Sequence, residues 1–252
     1  MPILTEFCLQ AVLSVAGTVC LWNKEAYSFT LGSLHMTDYN ALRTTMVDTQ
    51  IRPADVTKFP IIAAMLKVRR EIFVPDQKRL TAYSDAIVSL PGDRSVLDPR
   101  SFGKMLNAVD IQRNELVLDV GSGLGYSAAV IGSLAEAVVA LEENEDMVGE
   151  SERILAEEGC LNVAVLQGNL ANGANKHAPF DVIVIEGAVE EISEALTSQL
   201  ADGGRMVAIF SQKGQGEVRV GYKTKGNISW RFACNAYAPV LSGFQKAHSF
   251  SL

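Results

Sequence analysis

The stretch LVLDVGSGLGYSAAVIG, residues 116–132, carries the pattern that decides the fold of this chain. Apolar residues surround a single acid, Asp119, a glycine-rich segment follows, and a second apolar run begins at Ala128. This order predicts a buried strand, a tight loop and a helix. Glycines in such a loop bring backbone N–H groups close to a ligand, because no Cβ intervenes.

The glycine spacing distinguishes two classes of nucleotide cofactor. Gly121, Gly123 and Gly125 follow a G-x-G-x-G pattern with an acid two residues before the first glycine. Dinucleotide dehydrogenases instead carry G-x-G-x-x-G. The pattern therefore favours S-adenosylmethionine over NAD, and an ordinary strand-to-helix turn is the alternative when the loop is taken alone.

A second acid supports the cofactor interpretation. Residues 137–142 form another apolar run that ends in Glu142. This acid follows the loop by about 20 residues, the separation that a strand–loop–helix–strand path gives in Rossmann-like folds. A carboxylate at this strand tip accepts hydrogen bonds from ribose hydroxyls, so Glu142 is predicted to bind the cofactor ribose. A surface acid at a strand end is the alternative.

The composition limits the possible functions. With 252 residues, of which 48% are hydrophobic, the chain can bury a full core as one domain or one domain with an appendage. A net charge of -7 offers no basic surface for nucleic acid, so a nucleic-acid partner is not expected. The four cysteines are scattered without C-x-x-C spacing or clustered histidines. This usage predicts free thiols, a reducing cytoplasm and no metal site.

The first 35 residues differ from the remainder of the chain. Residues 7–22 are apolar, but they are shorter than the ~20 residues of a membrane span. They also lack the basic segment that begins a secretory signal, so membrane association is not expected. A regular amphipathic pattern starts just after Met36. We therefore expect residues 1–35 to be an N-terminal extension and Met36 to be the natural start; an extra packed helix is the alternative.

The rest of the chain divides into two regions. Residues 36–110 predict helices near 38–48, 60–68 and from Pro99, with an irregular stretch at 82–99 where a substrate loop would lie. Residues 111–252 alternate between strands and helices and end in a hairpin signal at Gly226. This order predicts an α/β fold with a mostly parallel sheet and an antiparallel edge.

Several motifs occur in the same order as in the protein-L-isoaspartate O-methyltransferases, which the chain resembles over residues 46–244. MLKVRREIFVP at residues 65–75 is similar to the family's A-M-x-x-V-P-R-E-x-F-V-P, and AYSD at 82–85 is similar to its A-Y-x-D. Residues 118–129 resemble its cofactor motif, Gly168-Asn169 stands where it has Gly-Asp, and APVLSG at 238–243 resembles its terminal strand. The resemblance implies a Rossmann-like class I methyltransferase fold with helices on both faces of the sheet. It also implies S-adenosylmethionine as methyl donor and isoaspartyl carboxylates of damaged proteins or peptides as acceptors.

The motifs and the resemblance together assign the site. Asp85 and Ser95 are expected to orient the acceptor as catalytic residues. The region 111–252 is expected to form the S-adenosylmethionine-binding core, whose predicted cofactor-binding residues are Asp119, Gly121, Ser122, Gly123, Gly125, Tyr126, Glu142, Asn169 and Leu170. Because a carboxylate attacks an activated sulfonium methyl directly, the enzyme mainly has to hold the two groups in line.

The substrate loop departs from the family pattern. The family's G-Q-T-I-S falls on residues 93–97, where Ser95 replaces the threonine and Leu97 replaces the serine expected near the acceptor carboxylate. Asp93 and Asp98 add negative charge where an anionic substrate should lie, which is repulsive in a closed site. Three functions stay open: an isoaspartyl methyltransferase, a methyltransferase of the same fold with another acceptor, and a silent cofactor-binding module. The glycine spacing disfavours a nucleotide-dependent dehydrogenase.

Overall fold

The structure is a computed structural model that describes residues 37–212 and 214–246. The predicted N-terminal extension, residues 1–35, lies outside the described residues, so its assignment stays a prediction. Within the described part, no helix is long and apolar enough to span a bilayer.

The strands form one small hairpin and one large sheet. The hairpin pairs β1 (Val88–Ser89) with β2 (Ser95–Val96) in antiparallel fashion. The strands of the large sheet are β3 (Leu116–Val120), β4 (Ala137–Glu142), β5 (Val163–Gln167), β6 (Phe180–Val189), β7 (Leu200–Gln212), β8 (Gln215–Thr224) and β9 (Asn227–Asn235). Their order is β5-β4-β3-β6-β7-β8-β9, parallel from β5 to β7 and antiparallel from β7 to β9.

Four of the six α-helices in the described residues begin at a residue whose side chain caps the first turn. They are α1 (Tyr39–Met46), α2 (Phe59–Lys67), α3 (Pro99–Val109), α4 (Tyr126–Gly132), α5 (Glu145–Glu157) and α6 (Glu194–Thr197). The side chains of Asp38, Asp98 and Asn144 accept hydrogen bonds from backbone N–H groups in the first turns of α1, α3 and α5. Such caps satisfy N–H groups that have no partner inside the helix.

The large sheet separates two apolar layers. Val117, Val182 and Val207 contribute to the layer that contains the core residues of α1 to α5. Leu118 and Ile183, one residue further along their strands, contribute to the opposite layer beside α6. This alternation follows from the two-residue period of a strand. The predicted α/β fold class, with a mostly parallel sheet and helices on both faces, is confirmed.

The C-terminal part of the sheet contains more antiparallel structure than the sequence indicated. The predicted hairpin is confirmed, and its turn places Lys225 and Gly226 at φ values of 51° and 81°. Both values lie in the left-handed region that a two-residue hairpin turn requires. The second hairpin, between β7 and β8, was not predicted. Helix α6 is only one turn long, because β7 already begins at Leu200.

Candidate active site

The glycine loop joins β3 to α4 as the sequence predicted. Gly121, Gly123 and Gly125 have φ values of 80°, 56° and 95°, which side chains rarely adopt. A Cβ on Gly125 would lie 2.6 Å from Oγ of Ser151, and one on Gly123 would lie 2.7 Å from Cδ1 of Leu90. Glycine is therefore required here both by backbone conformation and by close packing.

Asp119 of β3 and Glu186 of β6 form a buried pair of acids on neighbouring strands. The register pairs Val120 with Ile185, and both acids lie on the sheet face that faces the layer of α1 to α5. Oδ2 of Asp119 accepts a hydrogen bond from Ser127 Oγ at 2.6 Å. Oδ1 of Asp119 and Oε1 of Glu186 have no partner among the described residues.

Both acids are held toward their protonated forms. Burial, together with the nearby charge of Glu142, raises the pKa of Asp119 to about 7, although the hydrogen bond from Ser127 partly opposes this rise. Burial also raises the pKa of Glu186 well above its ordinary value, and the neighbouring Asp119 adds to this shift. A low-dielectric site disfavours two adjacent negative charges, so the pair binds a proton readily.

Arg70 is the cation next to these acids, and it also organises the substrate loop. Its Nε and Nη2 each donate a hydrogen bond of 2.6 Å, to the carbonyls of Ala82 and Leu97. Its guanidinium lies 4.6 Å from the ring centroid of Tyr126, and its charge opposes the rise in the pKa of Glu186. The signature segment 65–75 therefore supplies the residue that holds both ends of the loop.

Glu142 lies at the tip of β4 as predicted, and it is fully buried, which excludes the surface-acid alternative. Its carboxylate accepts hydrogen bonds from the backbone N–H groups of Gly123, Glu143 and Asn144 at 3.0, 2.8 and 3.0 Å. Nε of Arg94 also contacts the carboxylate, at 3.0 Å from Oε1 and 3.1 Å from Oε2. The predicted ribose-binding group is thus bound to a residue of the substrate loop.

The remaining predicted cofactor-binding side chains surround the same loop. Leu170 is buried, with Cδ1 3.6 Å from the position of a Cβ on Gly121. Asn169 accepts a hydrogen bond from Asn172 N and donates one to Glu143, each at 3.1 Å, so its amide is engaged within the chain.

Ser122 and Tyr126 are both buried, and each has a hydroxyl without a partner among the described residues. The Tyr126 ring packs between Phe73 and Phe102, with centroids 6.0 and 5.7 Å away. Its ring therefore belongs to the core.

The two predicted catalytic residues differ in exposure. Asp85 is exposed and forms an ion pair with Arg100 in the first turn of α3. Ser95 is buried on β2, opposite Ser89 of β1. Because Leu90 of the same hairpin lies against Gly123, the hairpin that carries Ser95 adjoins the glycine loop.

The structure corrects the expectation that Asp93 and Asp98 present free negative charge to a substrate. Asp98 caps α3, and its carboxylate accepts a hydrogen bond from Ser101 N at 2.9 Å. Asp93 pairs with Arg94 and accepts hydrogen bonds from the backbone N–H and hydroxyl of Ser242. The departure at Leu97 also lies in the interior, because this side chain is 1% exposed.

The donor set fits S-adenosylmethionine in its chemistry. Oδ1 of Asp119 is a buried acceptor without a partner, suited to an ammonium group. Glu142 at the tip of β4 suits ribose hydroxyls, and the three glycines of the loop allow a ligand to approach the backbone closely. One feature opposes the fit: Arg94 already binds the carboxylate of Glu142. In the described part of the chain, no three potential metal ligands cluster.

Three residues of this site were missing from the predicted set: Arg70, Arg94 and Glu186. Glu186 carries the same sequence signal as Glu142, an acid that ends a buried apolar run. Only Glu142 also lies at the expected separation from the glycine loop, so only Glu142 was predicted. Arg70 lies in the signature segment that carried the resemblance. No local pattern marks Arg94, because its partner is 48 positions away in the chain.

A parallel sheet with a glycine loop after β3, and with acids at the tips of β3 and β4, defines the class of Rossmann-like, class I methyltransferases. The comparisons with known proteins specify the family. The family model of protein-L-isoaspartate(D-aspartate) O-methyltransferase matches residues 42–243. A protein-L-isoaspartate O-methyltransferase of Koribacter versatilis is 35% identical over 172 residues, which cover 68% of this chain and 78% of the relative. A relative from Anaeromyxobacter, protein-L-isoaspartate O-methyltransferase 2, is 37% identical over 71% of this chain and 72% of its own length.

Solved structures agree in fold. A protein-L-isoaspartate O-methyltransferase superposes with a TM-score of 0.70 at 22% identity, covering 80% of this chain and 66% of the other. A candidate enzyme of the same name from Plasmodium falciparum, in complex with S-adenosyl-L-homocysteine, gives a TM-score of 0.68 at 18% identity, over 82% of this chain and 99% of the other. The chain belongs to the protein-L-isoaspartate O-methyltransferase family and is an S-adenosylmethionine-dependent methyltransferase.

Proposed function

We propose that this chain methylates the free carboxylate of isoaspartyl residues in damaged proteins or peptides, and that its site is formed by the residues described above. The observation that carries the proposal is the family match over residues 42–243, which includes both the glycine loop and the segment around Arg70. The substrate loop and the cofactor loop therefore belong to one matched unit.

The chain's own residues would hold the cofactor in three ways. Asp119 offers a free carboxylate oxygen to an ammonium group, and Glu142 accepts hydrogen bonds from ribose hydroxyls. Asn169 and Leu170 follow β5, and we assign them to the adenine. The remaining contacts are assigned to the loop and the start of α4: Gly121, Ser122, Gly123, Gly125 and Tyr126. Bound S-adenosylmethionine supplies an activated methyl group, so positioning is the main task of these residues.

The acceptor side requires orientation without a general base, since a carboxylate is already a nucleophile. We assign this orientation to the Ser95 hydroxyl and to Asp85. The Asp93 and Asp98 carboxylates are bound elsewhere, and burial raises the pKa of Glu186 well above its ordinary value. The negative charge that would repel an anionic acceptor is therefore smaller than the sequence indicated.

A second function, methyl transfer to another acceptor, is favoured by one observation. Leu97 replaces the family's serine, and its side chain packs into the core, so it supplies no hydroxyl to an acceptor carboxylate. Losing one donor to an anion typically slows a reaction by on the order of ten- to a thousandfold.

Transfer of a labelled methyl group from S-adenosylmethionine tests these proposals. The full chain should label an isoaspartyl peptide and leave the aspartyl peptide of the same sequence unlabelled. Asp119→Ala should abolish labelling, whereas Asp202→Asn, on the exposed part of β7, should keep it. Label in extract proteins but not in the isoaspartyl peptide would indicate another acceptor. No label with intact S-adenosylhomocysteine binding would indicate a silent module.

We also propose that the partners are damaged proteins and that the enzyme acts in their repair in the cytoplasm. Cys160 and Cys234 are free thiols, consistent with a reducing compartment. Cell fractionation with an antibody to the chain tests the location. Recovery in an oxidising compartment would contradict it.

A further inference from the structure

We propose that the β1–β2 hairpin, residues 88–96, is a gate on the cofactor site, and that Arg94 is an internal ligand that competes with the ribose for Glu142. The hairpin with its connecting turn is called the gate hairpin below. The inference rests on the proposed role of Glu142 in ribose binding and describes the regulation of that site.

The first support is the saturation of the Glu142 carboxylate. A carboxylate offers about four lone-pair sites. Here three backbone N–H groups and the Nε of Arg94 occupy them, at distances of 2.8 to 3.1 Å. Ribose hydroxyls can reach this carboxylate only if a partner leaves. The backbone N–H groups belong to the loop and the start of α5, so Arg94 is the partner that can leave.

The second support is the position of Leu90. Its Cδ1 lies 2.7 Å from where a Cβ of Gly123 would be, so the side chain rests directly on the glycine loop. Leu90 N also donates a hydrogen bond of 2.8 Å to the carbonyl of Arg94. This bond closes the hairpin. It also links Leu90, whose side chain rests on the glycine loop, to Arg94, whose side chain binds Glu142.

The third support is a latch at the turn of the gate hairpin. Asp93 accepts a hydrogen bond of 2.8 Å from Ser242 N and another from the Ser242 hydroxyl. Partial burial alone would raise the pKa of Asp93, but the Ser242 hydrogen bonds and the Arg94 charge lower it overall. The latch is therefore ionised at neutral pH and ties the gate hairpin to the C-terminal segment.

The charges allow the gate hairpin to open without isolating Arg94. Asp93 and Glu143 also pair with this guanidinium, and both are partly exposed. Arg94 therefore keeps a counter-charge as it moves toward solvent, while Glu142 exchanges the guanidinium for ribose hydroxyls. If the gate hairpin is open in only a fraction of the molecules, the apparent affinity for the cofactor is the affinity of the open state multiplied by that fraction.

Calorimetry with S-adenosylhomocysteine tests the gate, because it needs no methyl transfer. Arg94→Gln removes the charge and keeps an amide donor, and it should tighten binding by roughly tenfold or more if the gate is mostly closed. Ser242→Ala weakens the latch while leaving Arg94 in place, so it should tighten binding by a smaller factor. Arg153→Gln, on the exposed face of α5, is the matched control and should leave affinity unchanged.

Unchanged or weaker binding in Arg94→Gln, with Ser242→Ala also no tighter than the wild type, would overturn the proposal. Hydrogen exchange gives a readout that is independent of any variant. Saturating S-adenosylhomocysteine should accelerate exchange of the Ser242 amide, whose hydrogen bond to Asp93 breaks when the gate hairpin opens, and slower exchange would count against the gate. The isoaspartyl assay is separate, so tighter binding in Arg94→Gln without isoaspartyl labelling would support the gate and refute the proposed acceptor.

Discussion

Asp119 on β3 and Glu186 on β6 lie on adjacent parallel strands and on the same face of the sheet, and each keeps one carboxylate oxygen without a partner among the described residues. Their environment raises both pKa values, primarily through burial. Two acids that share a desolvated site make the stability of the protein depend on pH.

Stability without ligand should fall as the pH rises from about 4 to about 7. In this range the unfolded Asp119 is ionised, whereas the folded residue, with a pKa of about 7, still holds its proton. The folded state binds more protons, so unfolding free energy should drop by up to about 1.4 kcal/mol per pH unit for each such group.

Glu186→Gln should flatten this slope, because the amide does not ionise and the raised pKa of Glu186 no longer contributes to the difference in bound protons. Glu152→Gln, an exposed acid on α5, is the control and should keep the wild-type slope. Urea titrations across the pH range provide the measurement. Equal slopes in the wild type and Glu186→Gln would show that Glu186 ionises normally.

Glu142→Ala should destabilise the protein by about 3 to 5 kcal/mol, because it leaves the buried Arg94 without its fully buried counter-charge. It should also weaken S-adenosylmethionine binding by about 1.5 to 3 kcal/mol, the cost of losing charge-assisted hydrogen bonds. Arg94→Met alone, and the double variant, complete a thermodynamic cycle. Additive losses in denaturant unfolding would mean that the two side chains do not interact.

Leu97→Ser should cost about 3 to 5 kcal/mol of stability, since the side chain is 1% exposed and its removal leaves a cavity. It should not raise isoaspartyl turnover. The same substitution at Leu80, which is 67% exposed, should change stability by less than about 0.5 kcal/mol. A stable Leu97→Ser variant with faster isoaspartyl methylation would instead place residue 97 at the acceptor.

Gly125→Ala should lower the melting temperature and weaken S-adenosylhomocysteine binding. The residue has a φ of 95°, which costs an alanine about 1 to 2 kcal/mol, and the added Cβ would lie 2.6 Å from Ser151 Oγ. Gly149→Ala is the matched control in the exposed middle of α5. Nothing lies within 4 Å of its added Cβ, so this variant should gain roughly 0.5 to 1 kcal/mol. Equal melting temperatures would mean that the loop relaxes around the Cβ.

The amino-acid sequence by itself determined the elements that depend on near neighbours. The glycine loop after β3, the Asp38 cap and the turn at Gly226 all follow from the conformational preferences of a few consecutive residues. The acids at strand ends were also visible in the sequence, because an apolar run that ends in a carboxylate is a local pattern. These features were sufficient to predict the α/β class, and the motifs that occur in the same order as in the family carried the resemblance to it.

Only the tertiary structure decided which of these groups meet. The bond between Arg94 and Glu142 joins positions 48 residues apart, and the pairing of Asp119 with Glu186 depends on β6 lying beside β3. Asp98 was interpreted as a substrate-repelling charge and is a helix cap. Strand order and loop closure depend on how apolar faces from distant segments pack together, so composition and spacing do not reveal these partners.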